Sequence, residues 1–349
     1  MTPLYDKKIL AVLLEWDYGI RSRGVSCEKL WFYDNLRHLA PSTEAFWYDE
    51  YLKKTDQLQR ALVEKASGLH PDLIFFVPYT DQFSFETLDA LKTIAPTIAW
   101  FGDDTWRFES FSKRYAPHYT HVATTDPLSI PEYRSIGVEP ILTEWAGQIS
   151  SVDLGIPPPD APYDHEVSFV GGRNEYRGWM IRQLKRSGVE VVCYGAGWPK
   201  GRISFEKMEQ VFRGSRINLN ISNSVKTDIR FAGAGLRNLV VYLRSPKRAE
   251  QVKARNFEIP LCGGFQLTDY AIGLERHFMI GREVAIFNTP EECARQIRYY
   301  RNNESERREV LEAGYRRASA EHTFQKRLSD ILHRLWGPPS CPSPQSFTR

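Results

Sequence analysis

VSFVGGRNEYRGWMIRQLKRSGVEVVCYGAGW, residues 167–198, runs from a short apolar stretch through a glycine pair into an amphipathic stretch, then into a second apolar run and another glycine-rich turn. Val167–Val170 and Glu190–Tyr194 read as strands, and the helical spacing of Tyr176–Arg186 lies between them. A strand–helix–strand unit predicts parallel strands joined by a crossover helix. Gly171 and Gly172 would let backbone approach a ligand closely. The following helix would offer free N–H groups and a positive dipole end, suited to phosphate. Arg173 and Arg177, four apart, either face that point and bond phosphate oxygens or form a solvated basic face with Arg182, Lys185 and Arg186. In YGAGWPKGR, residues 194–202, Gly197 and Trp198 suit a flat base, or an ordinary turn.

The same rhythm continues in both directions. Upstream, strands are expected at Ile9–Glu15, Ala45–Tyr48, Leu73–Val77, Thr97–Phe101, His121–Thr124 and Pro140–Thr143, with amphipathic stretches such as Cys27–Leu39 and Leu58–Leu69 between them. Downstream, Ile217–Ile221, Gly264–Leu267 and Phe278–Ile280 read as strands, and Phe205–Phe212, Pro290–Asn302, Glu304–Ala318 and Thr323–Trp336 as helices. Between the halves lies GQISSVDLGIPPPDAPYDH, whose Pro157, Pro158 and Pro159 fix φ and lack N–H donors, so a linker is expected. The fold class that follows is α/β, with two Rossmann-like domains whose parallel sheets face a central cleft. The expected layout is one domain at 1–150, a linker at 151–164, a second domain at 165–320, a last helix at 321–336, and a disordered tail at 337–349.

Composition narrows the class. A length of 349 residues suits two domains. The formal charge of +3, from 46 basic and 43 acidic side chains, leaves no overall electrostatic footprint for nucleic acid. Cys27, Cys193, Cys262, Cys293 and Cys341 are scattered and odd in number, which argues against a disulfide framework or zinc site and for a reducing compartment. MTPLYDKKILAVLLEW reads as a first strand rather than a signal peptide. No apolar run approaches the roughly 20 residues of a spanning helix. A cytoplasmic location and no membrane span are the expectations.

In open α/β sheets, ligands bind beyond the carboxyl ends of the strands. In the first half those ends carry Trp16, Asp17, Tyr18 and Arg21, then Tyr79 and Asp81, then Asp103, Asp104 and Trp106, then Asp126, then Glu144 and Trp145. The Asp103–Asp104 pair follows the apolar strand IAWF directly. Adjacent carboxylates can act as a base or hold a metal, and one of them can cap the next helix. The reading that keeps both roles has Asp104 capping while Asp103 faces the cleft. In KARNFEIPLCGGFQLTD, residues 253–269, Lys253 and Arg255 offer cations to a diphosphate, and Glu258 offers an acceptor to a ribose diol. The same residues equally allow an i,i+3 salt bridge on a surface helix.

The second half resembles the CgeB-like, spore-maturation-type branch of GT-B glycosyltransferases. The resemblance covers about residues 165–332 and rests on SFVGGRNEYR, YGAGW, INLNIS, KARNFEIPLCGGF, FMIGREVAIFNTPEECARQIRYY and AEHTFQKR, in that order. It implies a nucleotide-sugar donor, such as a UDP-sugar, held by the second domain, with the first as the acceptor domain and the helix at 321–336 crossing back to it. Glu258 matches the acid that takes the ribose hydroxyls, and Arg255 and Lys253 match the cations near the diphosphate. Gly171, Gly172, Arg173 and Arg177 match the phosphate-side loop, and Gly197 and Trp198 the loop lining the base pocket. Glu250 with Glu258 has the two-glutamate spacing of retaining relatives, but PKRAEQVK departs from their glycine-rich context. A thinner similarity, to the phage DNA β-glucosyltransferases, rests on the order FGDD, then GG-x-x-x-x-R, then R-x-x-E. It implies Asp103 as the catalytic base.

The resemblance thus implies metal-independent glycosyl transfer to an acceptor hydroxyl, with no cofactor beyond the donor substrate. Arginines, Lys253 and a helix N-terminus would stabilise the leaving diphosphate, and closure would exclude water. The acceptor, whether glycan, small molecule or modified DNA base, is not legible. Three other readings stay open: a DNA-modifying transferase, a nucleotide-sugar epimerase, and a binding protein without turnover. Ser222–Arg248 reads as a glycine-bearing loop ahead of the donor motif.

Overall fold

A computed structural model describes residues 4–148, 155–225 and 228–339. The chain divides into two compact units. One holds the residues up to Glu144 together with those from Phe324 onward, and the other is Trp145–Thr323. Each unit is built on a parallel sheet, six-stranded in the first and five-stranded in the second.

In the first unit the strands are β1 (Ile9–Leu13), β2 (Glu44–Trp47), β3 (Leu73–Phe76), β4 (Thr97–Phe101), β5 (His121–Thr124) and β6 (Ile141–Leu142), in spatial order β2-β1-β3-β4-β5-β6. Every residue of β1, β3 and β4 is buried. That is what a parallel sheet covered on both faces requires, and why these strands read as unbroken apolar runs. The helix Phe324–Trp336 packs into this unit: Phe324 stacks on Trp31 at 5.0 Å and meets Phe32 edge-on at 5.3 Å.

In the second unit the strands are β7 (His165–Val170), β8 (Val192–Tyr194), β9 (Ser215–Asn220), β10 (Gln266–Asp269) and β11 (Ala285–Phe287), in order β11-β10-β9-β7-β8. In both units the strand order reverses beside the first strand, between β1 and β3 and between β7 and β9. The carboxyl ends there are the crevices in which this topology binds ligands. Helices start where the sequence supplies caps: the side chains of Ser84, Asn174, Ser204 and Thr289 each accept from a backbone N–H of the first turn.

Several expectations need correction. Phe278–Ile280 is not a strand. Phe278 is buried in an aromatic cluster with Phe257 and His322, and the chain turns at Gly281, φ +81°. The fifth strand of this sheet is Ala285–Phe287 instead. The stretch 222–248 is not a plain loop, since it contains the helices Ile229–Gly233 and Leu236–Arg244. Residues 145–148 group with the second unit rather than the first. The described part of the 151–164 linker does so too: Arg308 donates to the Pro157 carbonyl at 2.7 Å, and Tyr163 bonds Glu304 at 3.0 Å. Residues 151–154 of that linker, and 340–349 of the tail with Cys341, lie outside the described residues. Cys27, Cys193, Cys262 and Cys293 form no disulfide with one another.

Candidate functional site

In the second unit, the loops leaving β7 and β8 are zipped together. Gly171 N–H donates to the Tyr194 carbonyl at 2.9 Å, and Arg173 N–H to that of Ala196 at 2.8 Å, so the ladder continues past the strands. A Cβ on Gly195, φ +127°, would sit 2.3 Å from the Gly171 oxygen, so only glycine fits there. Trp198 donates from its indole N–H to the same oxygen at 2.9 Å. The exposed Arg173 guanidinium lies 5.8 Å from the Trp198 ring centroid, and a Cβ on Gly197, φ +83°, would press on the Arg173 side chain. Asn174 caps the helix Glu175–Arg186 by accepting from Arg177 N–H at 2.8 Å.

Arg177 does not share the exposed position of Arg173. Its guanidinium donates to the carbonyls of Gly172 (2.9 Å), Ile221 (2.7 and 2.9 Å) and Ser222 (3.2 Å). It therefore ties the end of β7 to the end of β9. Burial pushes its pKa down to about 10, against the pull of Asp269. Asp269, at the end of β10, accepts from Ser222 N–H at 2.8 Å.

The helix Ala254–Leu261 follows, with Lys253 at its N-cap. It is not a surface helix: every residue in it except Arg255 is buried. Pro260 interrupts its ladder by removing the N–H that would reach the Asn256 carbonyl, and the Gln266 side chain donates there instead, at 3.1 Å. Lys253 places its ammonium 4.8 Å from the Trp145 ring centroid. Glu258 is only 1% exposed. One of its oxygens lies 3.4 Å from Arg255 Nε, and the other, Oε1, has no hydrogen-bond partner. Burial raises its pKa, opposed by Arg255 and aided by Glu209. Arg255 also lies across the Phe212 ring at 5.0 Å. Glu250 lies close enough to Tyr176 to raise its pKa, after burial, Asp269 and Asp228.

In the first unit, Asp104 of the Asp103–Asp104 pair does not cap the helix that follows, as the sequence suggested it would. Asp103 occupies the N-cap position of the helix Asp104–Arg107, half-buried, without a side-chain cap bond, while Asp104 turns into the core. Asp104 is 3% exposed and accepts from Ser112 Oγ (2.5 Å), Thr124 Oγ1 (2.5 Å) and Tyr133 OH (2.9 Å). Burial pushes its pKa up to about 6 against those three donors. Asp126 caps the next turn through Leu128 N–H and Ser129 Oγ, each 3.0 Å away.

The ends of β1, β3 and β4 converge. Tyr18, with φ 54°, meets Tyr79 edge-on at 5.5 Å, and Arg107 donates to the Tyr79 carbonyl at 2.8 Å. Burial raises the Tyr18 pKa, and Asp17, Tyr79, Cys27 and Asp103 raise it further. Arg21 lies over Trp16 at 5.2 Å. Asp81 is exposed and acts electrostatically on Tyr115.

One acid escaped the reading of the sequence. Glu28 reaches back to accept from Leu14 N–H at 2.6 Å, at the end of β1. Enclosure of its carboxyl pushes its pKa up to about 8, against the Leu14 bond and aided by Asp49 and Asp17. The wide turn Lys29–Tyr33 that follows is π-helical, as is Phe108–Ser112 after Asp104. Such turns often mark functional positions, but nothing in residues 27–39 distinguishes them from an ordinary amphipathic helix. Among the described residues, no group of three His, Cys, Asp or Glu side chains could hold a metal ion.

Residues 173–333, a little under half of the chain, match the family model described as glycosyl transferase-like. No curated protein sequence matches the chain. Among solved structures, Anabaena Alr3699/HepE in complex with UDP and glucose is similar at 12% identity and TM-score 0.62, over 94% of this chain and 99% of that one. Sucrose-phosphate synthase from Thermosynechococcus elongatus is similar at 9% identity and TM-score 0.63, over 95% and 99%. The T4 phage BGT structure with its UDP-glucose substrate is similar at 12% identity and TM-score 0.54, over 93% and 98%. These likenesses establish the GT-B type of fold, with two Rossmann-like domains.

Proposed function

We propose that the chain is a glycosyltransferase that takes a sugar from a nucleoside-diphosphate donor, UDP being the favoured nucleotide, and passes it to an acceptor hydroxyl. The observation that carries the reading is the unpartnered oxygen of Glu258. A buried acceptor with no partner costs roughly 1–3 kcal/mol, and a ribose diol supplies the two donors that would relieve it. Because Glu258 is 1% exposed, its carboxylate meets a ligand only after the Arg255 side chain swings off it. Arg173 and Lys253, each resting on an indole ring, are the cations offered to the diphosphate, and Arg255 joins them once displaced. The free N–H groups at the start of the helix Glu175–Arg186 add to them. With protein cations in these positions, the transfer needs no metal ion. Arg177 holds the loop in shape. In the first unit Asp103 is the proposed base for an inverting transfer, as Asp104 is committed to three hydroxyl donors.

UDP and UDP-glucose appear with the Alr3699/HepE and T4 phage BGT structures, and this supports the choice of nucleotide. The phage likeness also keeps a hydroxymethylated base in view as acceptor, but the nearly balanced charge of +3 gives that reading no support. A thermal-shift series with nucleoside diphosphates tests the proposal. UDP at 100 times its Kd should stabilise the chain by about 2.7 kcal/mol. No shift with any nucleoside diphosphate at millimolar concentration would sink it.

A further inference from the structure

The helix Leu236–Arg244 wears its apolar face outward. Leu236 is 78% exposed and Leu243 65%, and Leu239 and Val240 between them are exposed as well. These positions are i, i+3, i+4 and i+7, the spacing that normally turns one stripe toward a core. Here the residue that the helix buries is Asn238, while Val241 and Tyr242 pack only partly against the core. Ile229, on the short helix just before, is 77% exposed and extends the patch. Contiguous exposed apolar side chains of this kind mark an interaction surface.

The charge around the patch selects the partner. Residues 228–248 contain five basic side chains and one acidic. Arg237 pairs with Glu175 at 2.8 Å, and Arg230 with Asp228 and Glu291 at 2.7 and 2.8 Å. The excess of positive charge therefore lies at the end and exit of the helix, with Arg244, Lys247 and Arg248. Arg237, Arg244 and Arg248, on the helix and at its exit, are exposed. An apolar stripe flanked by arginines fits a surface that offers acyl chains at depth and negative charge above them. A second copy fits worse, because a two-fold contact on this face would set the arginines against their own copies. The helix is about 13 Å long at nine residues, so it would lie in the interface rather than cross it. We infer that Ile229–Arg248 is a docking surface for an anionic lipid bilayer. The inference does not depend on what the donor site binds.

The test is sedimentation of the full chain with vesicles, either neutral phosphatidylcholine or phosphatidylcholine with about one-third phosphatidylglycerol. The chain should pellet with the anionic vesicles only, and less so in 0.5 M salt. Leu236→Ser with Leu243→Ser should weaken binding at least tenfold, with circular dichroism and melting unchanged because both side chains are solvent-exposed. Arg244→Gln with Arg248→Gln, which leaves the stripe intact, should also weaken it roughly tenfold at low salt. No retention on anionic vesicles, or retention unchanged in both double variants, overturns the inference. So does a dimer in light scattering that the serine variant dissociates, without vesicle retention, since the face would then belong to a second copy.

Discussion

Each unit buries a carboxylate, Asp104 in the first and Glu258 in the second, and the two are provided for differently. Asp104 accepts from three hydroxyls, at 2.5, 2.5 and 2.9 Å. Glu258 has one oxygen 3.4 Å from an arginine nitrogen and the other without a partner. Desolvation penalises both charges, and it raises both pKa values. In the first unit the protein answers that penalty itself. In the second it leaves part of the answer open, within the stretch that matches the glycosyl transferase-like family model. A saturated buried acid is a brace, and an unsaturated one is a place where a ligand's donors add something the fold lacks.

The largest effect that can break this contrast concerns the acid next to the brace. Asp103→Asn should lower turnover by roughly 10²–10⁴ at saturating donor, the range for losing a general base, with donor affinity unchanged. A near-normal rate would exclude Asp103 and move attention to Glu28, whose raised pKa and position at the end of β1 suit a base. Asp104→Ala should act on the fold instead. It strands the Ser112, Thr124 and Tyr133 hydroxyls and should cost about 3 kcal/mol in denaturant unfolding. A cost under about 1 kcal/mol would mean the network is not a brace.

Most of the scaffold was legible in the sequence, because parallel strands buried on both faces must be apolar throughout. Thr97–Phe101, apolar from Ile98 on, carries that signature, and both it and His121–Thr124 have the bounds the structure gives them. What was not legible depends on side chains that meet only in space. Nothing near Asp104 reveals that donors 8, 20 and 29 positions along the chain converge on it. The four-residue spacing of Arg173 and Arg177 suggested a shared target, yet the fold sends Arg177 to carbonyls 44 and 45 positions away. β11 was missed because Phe278 is the more conspicuous apolar residue, and its burial comes from aromatic packing rather than a ladder. Glu258 was picked out by resemblance, while its burial and its open oxygen came only from the structure.

The arginine pair gives the next test. Arg177→Ala should destabilise the second unit by about 2 kcal/mol, since three backbone carbonyls lose a charged donor. Arg173→Ala should leave melting unchanged and weaken nucleoside-diphosphate binding by roughly tenfold. Equal effects of the two on stability would erase the distinction between a loop tie and a ligand cation.

A smaller effect lies in pH. The folded-state pKa of Asp104, about 6, exceeds the unfolded value of about 3.9. Folding therefore favours its protonated form, and the stability it contributes is fully present below about pH 4 and lost as pH rises through about 6. Between those limits the wild type should lose on the order of 2 kcal/mol relative to Asp104→Asn, which cannot titrate. Parallel stability curves for the two would show that folding does not raise the Asp104 pKa.

The most direct measurement is calorimetric titration of the wild type and Glu258→Gln with UDP. The glutamine keeps the shape and removes the charge that a ribose diol would bond. Wild type should bind, and Glu258→Gln should bind at least tenfold more weakly with no loss of melting temperature, because removing a buried charge spares its desolvation. Equal affinity in the two proteins would contradict the account and leave the open oxygen of Glu258 without a role in the donor site.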